Sequence, residues 1–221
     1  MSKTTRPRDV KPFHFPARLY PIIDTRGDPQ RSYSSLAEAV LAAGAPMIQL
    51  RVKGPPTGRF VELAREIRRL TTRHRAILII NDRVDIARLV DADGVHLGQD
   101  DLPPSAARQI LGEGKIVGFS THNLEQAHEA QRQGFADYLG FGPVFSTASK
   151  ERPDPLVGIA GLRAVRRRVG LPIVAIGGID AGNLTQVLNA GADAAALIGA
   201  IVASADPGAA TAQLLQLAVS A

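Results

Sequence analysis

The sequence predicts a single-domain TIM (β/α)8 barrel, and three observations carry that expectation. Short, near-continuously apolar runs alternate with segments of helical spacing, eight of each, along a chain of 221 residues. Strands buried on both faces of a parallel sheet read as such unbroken runs. Nothing linker-like divides the alternation, and eight βα units suit a closed barrel near the small end of its size range. A doubly wound open sheet is the architectural alternative. Its dinucleotide-binding form is disfavoured, because the first strand-to-helix turn, Thr25-Arg26-Gly27-Asp28-Pro29, lacks G-x-G-x-x-G.

Residues 1–16 are basic and carry Pro7, Pro12 and Pro16, which predicts a loosely ordered extension before a barrel domain over 17–221. The predicted strands are 17–24, 47–52, 76–82, 94–98, 115–120, 137–145, 172–177 and 194–199. The predicted helices are 34–44, 58–73, 84–91, 104–111, 123–133, 158–169, 183–190 and 207–219. The second shows its period best: Phe60, Leu63, Ala64, Ile67 and Leu70 recur every three or four residues between Arg and Glu. Ser34, Asn123 and Asp206 are placed as N-caps, and Gly44, Gly134, Gly170 and Gly191 as stops.

Composition excludes several classes of function. With no cysteine there is no disulfide, thiol nucleophile or cysteine metal site. No apolar run reaches 18 residues, so no membrane span is expected. The N-terminus lacks the apolar core of a secretion signal, and the expected location is cytoplasmic. The net charge of +5 raises the question of a nucleic-acid partner. Against it, many arginines (Arg65, Arg68, Arg69, Arg73, Arg75, Arg163, Arg166, Arg167 and Arg168) fall on predicted outer helices, where solvated faces are expected. Aromatics are 5% with no tryptophan, a poor supply for base stacking. Small-molecule substrates are the expected partners, and the sequence assigns no oligomeric state.

In such barrels the chemistry sits at the C-terminal ends of the strands. Strand two ends Gln49-Leu50-Arg51-Val52-Lys53. Residues i, i+2 and i+4 share a face, so Gln49, Arg51 and Lys53 point one way. Two cations there need an anion. A phosphate or pyrophosphate supplies one; the alternative is a structural ion pair with strand-end aspartates. Strand three ends Asn81-Asp82, and Asp101 follows strand four. Neighbouring strands lie ~4.8 Å apart, so one hard cation can take both carboxylates. Oxygen ligands with few protein contacts suit Mg²⁺, although two solvated loop aspartates would look the same. Strand five ends in Ser120, Thr121 and His122, the last expected as a loop residue, while His96 inside strand four is expected to be a hydrogen-bonded core residue.

The loop after strand six carries Ser146, Thr147, Ser149 and Lys150, an anion grip within a 146–157 segment long enough to act as a flap. Gly177-Gly178 after strand seven and Ile198-Gly199 at strand eight place backbone N–H groups where barrels often bind phosphate. Two anion sites on one rim, without a paired acid and base or an activated nucleophile, suit ionisation of a diphosphate followed by capture of the cation.

The motifs QLRVK (49–53), INDR (80–83), DGVHLGQDDL (93–102), VGFSTHN (117–123), GFGPVFSTASK (140–150) and IVAIGGI (173–179) together resemble thiamine-phosphate synthases over about residues 17–203. The resemblance implies a TIM barrel joining 4-amino-2-methyl-5-hydroxymethylpyrimidine diphosphate to 4-methyl-5-(2-phosphoethyl)thiazole. By motif, Gln49, Arg51, Lys53, Asn81, Ser120 and Lys150 would hold the pyrimidine diphosphate, with Arg51, Lys53, Ser120 and Lys150 acting in catalysis. Asp82 and Asp101 would bind Mg²⁺. Thr147, Ser149, Gly178, Ile198 and Gly199 would hold the thiazole phosphate. Three positions depart from the family pattern: Ser149 and Ile23 where threonine is common, and Gly199 where serine is common. The related thiazole tautomerases are the alternative. They typically carry histidine where Pro143 stands and lack much of the diphosphate machinery retained here.

Overall fold

The computed structural model describes residues 12–24, 31–54, 56–147 and 154–221. Eight parallel strands close into one barrel, each bonded to the next and the eighth to the first. They are β1 (Leu19–Ile23), β2 (Met47–Leu50), β3 (Ile77–Asn81), β4 (Gly94–Leu97), β5 (Ile116–Thr121), β6 (Tyr138–Phe141), β7 (Ile173–Ile176) and β8 (Ala194–Leu197). The helices between them are α1 (Tyr33–Ala42), α2 (Thr57–His74), α3 (Val84–Leu89), α4 (Pro104–Leu111), α5 (Leu124–Gln133), α6 (Gly158–Arg166), α7 (Leu184–Asn189), α8 (Gly199–Val202) and α9 (Pro207–Val219). All eight predicted strands exist; seven are shorter than their apolar runs, and β5 keeps its length shifted by one residue. The eighth stops at Leu197, and Gly199 opens a four-residue helix that the sequence reading merged into the strand. Asn123 and Asp206 cap α5 and α9, accepting from Gln126 N and Ala209 N at 2.9 Å each. Ser32, rather than the expected Ser34, caps α1.

Strand alternation splits the apolar residues into two cores. Outward residues such as Leu19, Ile23, Ile48 and Ile80 pack under the helices. Inward residues, Tyr20, Ile22, Met47, Ile79, Tyr138 and Val174, fill the barrel. Ala194 and Ala196 face the same interior, so small side chains on β8 leave room for two buried tyrosines. Phe13 and Phe15, within the predicted extension, pack on Tyr138 at ring-centroid distances of 5.5 and 5.1 Å and so close the lower end.

Below the barrel an Ala-Asp step precedes every even strand from β4 onward: Asp93, Asp137 and Asp193. Each carboxylate accepts the first free amide of the preceding strand: Leu78 N at 2.8 Å, Val117 N and Ile173 N at 2.7 Å. Each also takes an arginine from a helix: Arg68 at 2.7 Å, Arg108 at 2.7 Å and Arg166 at 2.9 Å. Arg68 and Arg166 are therefore not the solvated face residues expected of them. Their long stems let the guanidinium reach around the helix to a carboxylate fixed by the sheet.

Candidate active site

The C-terminal rim collects the charged residues that the strand ends were expected to deliver. Arg51 follows β2 and pairs with Asp24, a nearly fully buried carboxylate after β1 to which the sequence reading gave no role. Lys53 pairs across β2 with Asp82 beyond β3. Arg51 and Lys53 thus reach carboxylates on opposite sides of the same strand. Val52 between them is turned into the outer core, which keeps the two cations on one face.

Asp82 has φ +62°, a left-handed conformation that Asp tolerates better than most residues. Its amide is held by His96 O at 2.8 Å, which fixes this turn at the end of β3. Asp101 folds back over the turn after β4 and accepts Gly98 N at 2.7 Å. Burial raises the Asp101 carboxyl above its ordinary value, and the neighbouring Asp82 carboxylate adds to that rise. Two carboxylates side by side in a partly buried place disfavour double ionisation unless a cation joins them. With no histidine between them, this all-oxygen pair fits a hard divalent ion that completes its shell with water or phosphate.

Deeper in the barrel, Gln49 is 2% exposed and its amide nitrogen donates to Tyr20 Oη at 3.1 Å. Asn81 is buried at the end of β3, in register with His96. His96 is the hydrogen-bonded core residue expected: Nδ1 meets Tyr138 Oη at 3.0 Å and Nε2 meets Ser120 Oγ at 2.9 Å. Burial pushes its imidazole down to about 4, so it is neutral near pH 7. Gln99, which the sequence reading passed over, donates to Ser120 O at 2.5 Å and ties the β4 loop to the end of β5. The G-Q-D-D string held it in view, but the adjacent carboxylates drew the reading. His122 is the expected loop residue. Its Nδ1 lies 2.7 Å from Gly142 O and its Nε2 3.6 Å from Asp154, joining the end of β5 to the segment before α6.

The opposite half of the rim is built from backbone. Gly177 O accepts Phe145 N at 3.0 Å, and Ile176 O accepts Val144 N at 2.8 Å, so the loops after β6 and β7 lie against each other. Gly178 has φ +60°, and a Cβ there would stand 2.4 Å from Ser146 O. Only glycine meets both demands. Ile198 and Gly199 form the turn from β8 into α8, and a Cβ at Gly199 would meet nothing within 4 Å. Thr147 is half-buried; Ser149 and Lys150 lie outside the described residues. Among the described residues no helix is long and apolar enough to cross a membrane.

Comparison with known proteins shows the family. The family described as thiamine monophosphate synthase matches residues 19–201. A thiamine-phosphate synthase of Chloroflexus aurantiacus is 48% identical over 200 residues, covering 90% of this chain and 92% of that protein. One from Moorella thermoacetica is 45% identical over 203 residues, covering 92% and 96%. The structure of a thiamine phosphate pyrophosphorylase from Pyrococcus furiosus superposes with TM-score 0.83 at 39% identity, covering 92% of this chain and 96% of that one. A 3-hexulose-6-phosphate synthase, at 22% identity and TM-score 0.64, shares the fold alone. On the barrel and these likenesses, the chain belongs to the thiamine monophosphate synthase family and is a transferase that makes thiamine phosphate.

Proposed function

We propose that the rim takes 4-amino-2-methyl-5-hydroxymethylpyrimidine diphosphate on its charged half and 4-methyl-5-(2-phosphoethyl)thiazole on its backbone half. The observation that carries this reading is the convergence of Arg51, Lys53, Asp82 and Asp101 beyond three neighbouring strands. Gln49, Asn81 and Ser120 line the way below them. Thr147, Ser149, Gly178, Ile198 and Gly199 would receive the thiazole phosphate. Mg²⁺ would be held by Asp82 and Asp101, and when bound it supplies positive charge to the diphosphate oxygens.

The chemistry asks for positioning and electrostatics. The bond from the pyrimidine methylene to the diphosphate oxygen breaks, and its electron pair leaves with pyrophosphate. The aminopyrimidine ring spreads the resulting cation. The thiazole nitrogen then forms the new carbon–nitrogen bond with its lone pair. Lys53 is 45% exposed and would exchange Asp82 for a phosphate oxygen, leaving the Asp82 carboxylate to hold Mg²⁺. Arg51 and Lys150 would stabilise the departing charge. The flap expected over 146–157 lies in part outside the described residues. The thiazole tautomerase reading loses ground because both cations and both carboxylates of a diphosphate site are present. A cytoplasmic setting fits two charged, diffusible substrates.

Incubating the protein with both substrates and Mg²⁺ tests the reading. Thiamine phosphate and pyrophosphate are expected in equal amounts, and a chelator should stop both. Isomerisation of a thiazole without pyrophosphate release would overturn it.

A further inference from the structure

A line of hydrogen bonds crosses the barrel interior from one proposed substrate contact to another. Gln49 Nε2 donates to Tyr20 Oη at 3.1 Å. Tyr20 Oη lies 3.0 Å from Tyr138 Oη, which lies 3.0 Å from His96 Nδ1. His96 Nε2 lies 2.9 Å from Ser120 Oγ. The three middle residues are almost fully buried, at 1%, 0% and 9% exposure. No part of the chemistry proposed above uses them.

The order of the hydrogens follows from what each group has to give. An amide nitrogen only donates, so Tyr20 accepts from Gln49 and passes its own hydrogen to Tyr138. Tyr138 then gives its hydrogen to Nδ1. A neutral imidazole whose Nδ1 accepts carries its hydrogen on Nε2, and gives it to Ser120 Oγ. Every oxygen in the line accepts once, and the hydrogen of Ser120 is left to point into the mouth. The reverse order would aim both Gln49 and Tyr138 at Tyr20 Oη and leave the Tyr20 hydrogen without an acceptor in the line.

The backbone makes room for this line. A Cβ at Gly118 would stand 2.2 Å from Tyr138 Cζ and 2.5 Å from His96 Nδ1. One at Gly140 would stand 3.0 Å from His96 Cε1. Two adjacent strands therefore omit a side chain where the His96 and Tyr138 rings stack, at a centroid distance of 5.5 Å. We propose that Tyr20, Tyr138 and His96 are positioning residues that hold Ser120 as a hydrogen-bond donor to the departing diphosphate. This inference rests on the proposed contact between Ser120 and the diphosphate. A hydroxyl already turned toward the oxygen that gains charge needs no reorientation during bond breaking.

The test is a cycle of Tyr138→Phe and Ser120→Ala, read by kcat, by KM for the thiazole phosphate, and by thermal midpoint. Tyr138→Phe removes one oxygen and leaves the stacked ring. With Ser120 present it should lower kcat about tenfold, short of the roughly 10²–10³ lost when such a donor is itself removed, with the thiazole KM within about twofold. In the Ser120→Ala background it should change kcat by less than about twofold, because a residue acting through Ser120 has nothing left to position. Tyr20→Phe should show the same background dependence with a smaller loss, and it carries the test if Tyr138→Phe does not fold. Equal losses in both backgrounds, or no loss in either, would overturn the inference while leaving the diphosphate site standing. An unchanged kcat in Ser120→Ala alone would instead remove Ser120 from that site, and the inference with it.

Discussion

Arginine, lysine and aspartate form ion pairs at both ends of this barrel, and the two ends use them differently. Below, Asp137 accepts Arg108 and the amide of Val117, while Arg108 also donates to the carbonyls of Gly112 and Phe135 at 3.1 Å. Arg108 is 3% exposed. That pair cannot change partners without releasing a strand amide. Above, the Asp82 carboxylate takes Lys53 and no backbone amide among the described residues, and Lys53 is nearly half exposed. That pair can open to admit an anion and a cation. Under the proposed function, what separates the structural pair from the substrate-binding one is whether the carboxylate also serves the sheet. The charge and the residue types are alike at both ends.

The largest expected effect breaks the lower pair. Arg108→Ala takes the buried guanidinium away from the Asp137 carboxylate, and should destabilise the fold by about 3–5 kcal/mol. Denaturant unfolding checks this, and kcat of the enzyme that remains folded should be near normal. A kcat loss at unchanged stability would erase the contrast between the two ends. Arg51→Ala should act on both rate and stability. It should lower kcat by roughly 10²–10³, seen as slower pyrophosphate release in a single turnover, and it should also lower the unfolding midpoint, because the buried Asp24 carboxylate loses its guanidinium. Weaker thiazole binding at normal ionisation rate would place Arg51 wrongly.

Asp101→Asn keeps the size and removes one of two charges, so it should raise the Mg²⁺ needed for half-maximal rate about tenfold or more. Titrating Mg²⁺ at saturating substrates measures it, and an unmoved midpoint would take Asp101 out of the metal site. The smallest effect sharpens the backbone half of the rim. Gly199→Ser adds a hydroxyl where a Cβ meets open space. One new hydrogen bond of ~0.5–1.5 kcal/mol should lower the KM for the thiazole phosphate a few-fold. A raised KM would mean that the phosphate does not sit beside α8.

The contrast between the ends also marks what the sequence could tell. The strands were legible because parallel strands buried on two faces are apolar throughout. The same property blurred their ends, since 137–145 and 194–199 stay apolar beyond the last ladder bond at Phe141 and Leu197. The rim was legible where side chains carry it, at Arg51, Lys53, Asp82 and Asp101, because polar residues just past apolar runs stand out. Asp24 and Gln99 were harder, each sitting beside a more conspicuous neighbour. The lower pairs were hidden because Arg68 and Arg166 occupy positions that helical spacing assigns to water. Only the closed ring brings them to Asp93 and Asp193. Tyr20 and Tyr138 read as core from the sequence, and their hydroxyls met only when β1 and β6 faced each other across the interior.

Phe13 and Phe15 stopper the lower end of the tube beneath Tyr20 and Tyr138. Among the described residues this covers the two buried hydroxyls from below, so the end of their hydrogen-bonded line that lies nearest the mouth is Ser120, and a substrate seated there would cover that end as well.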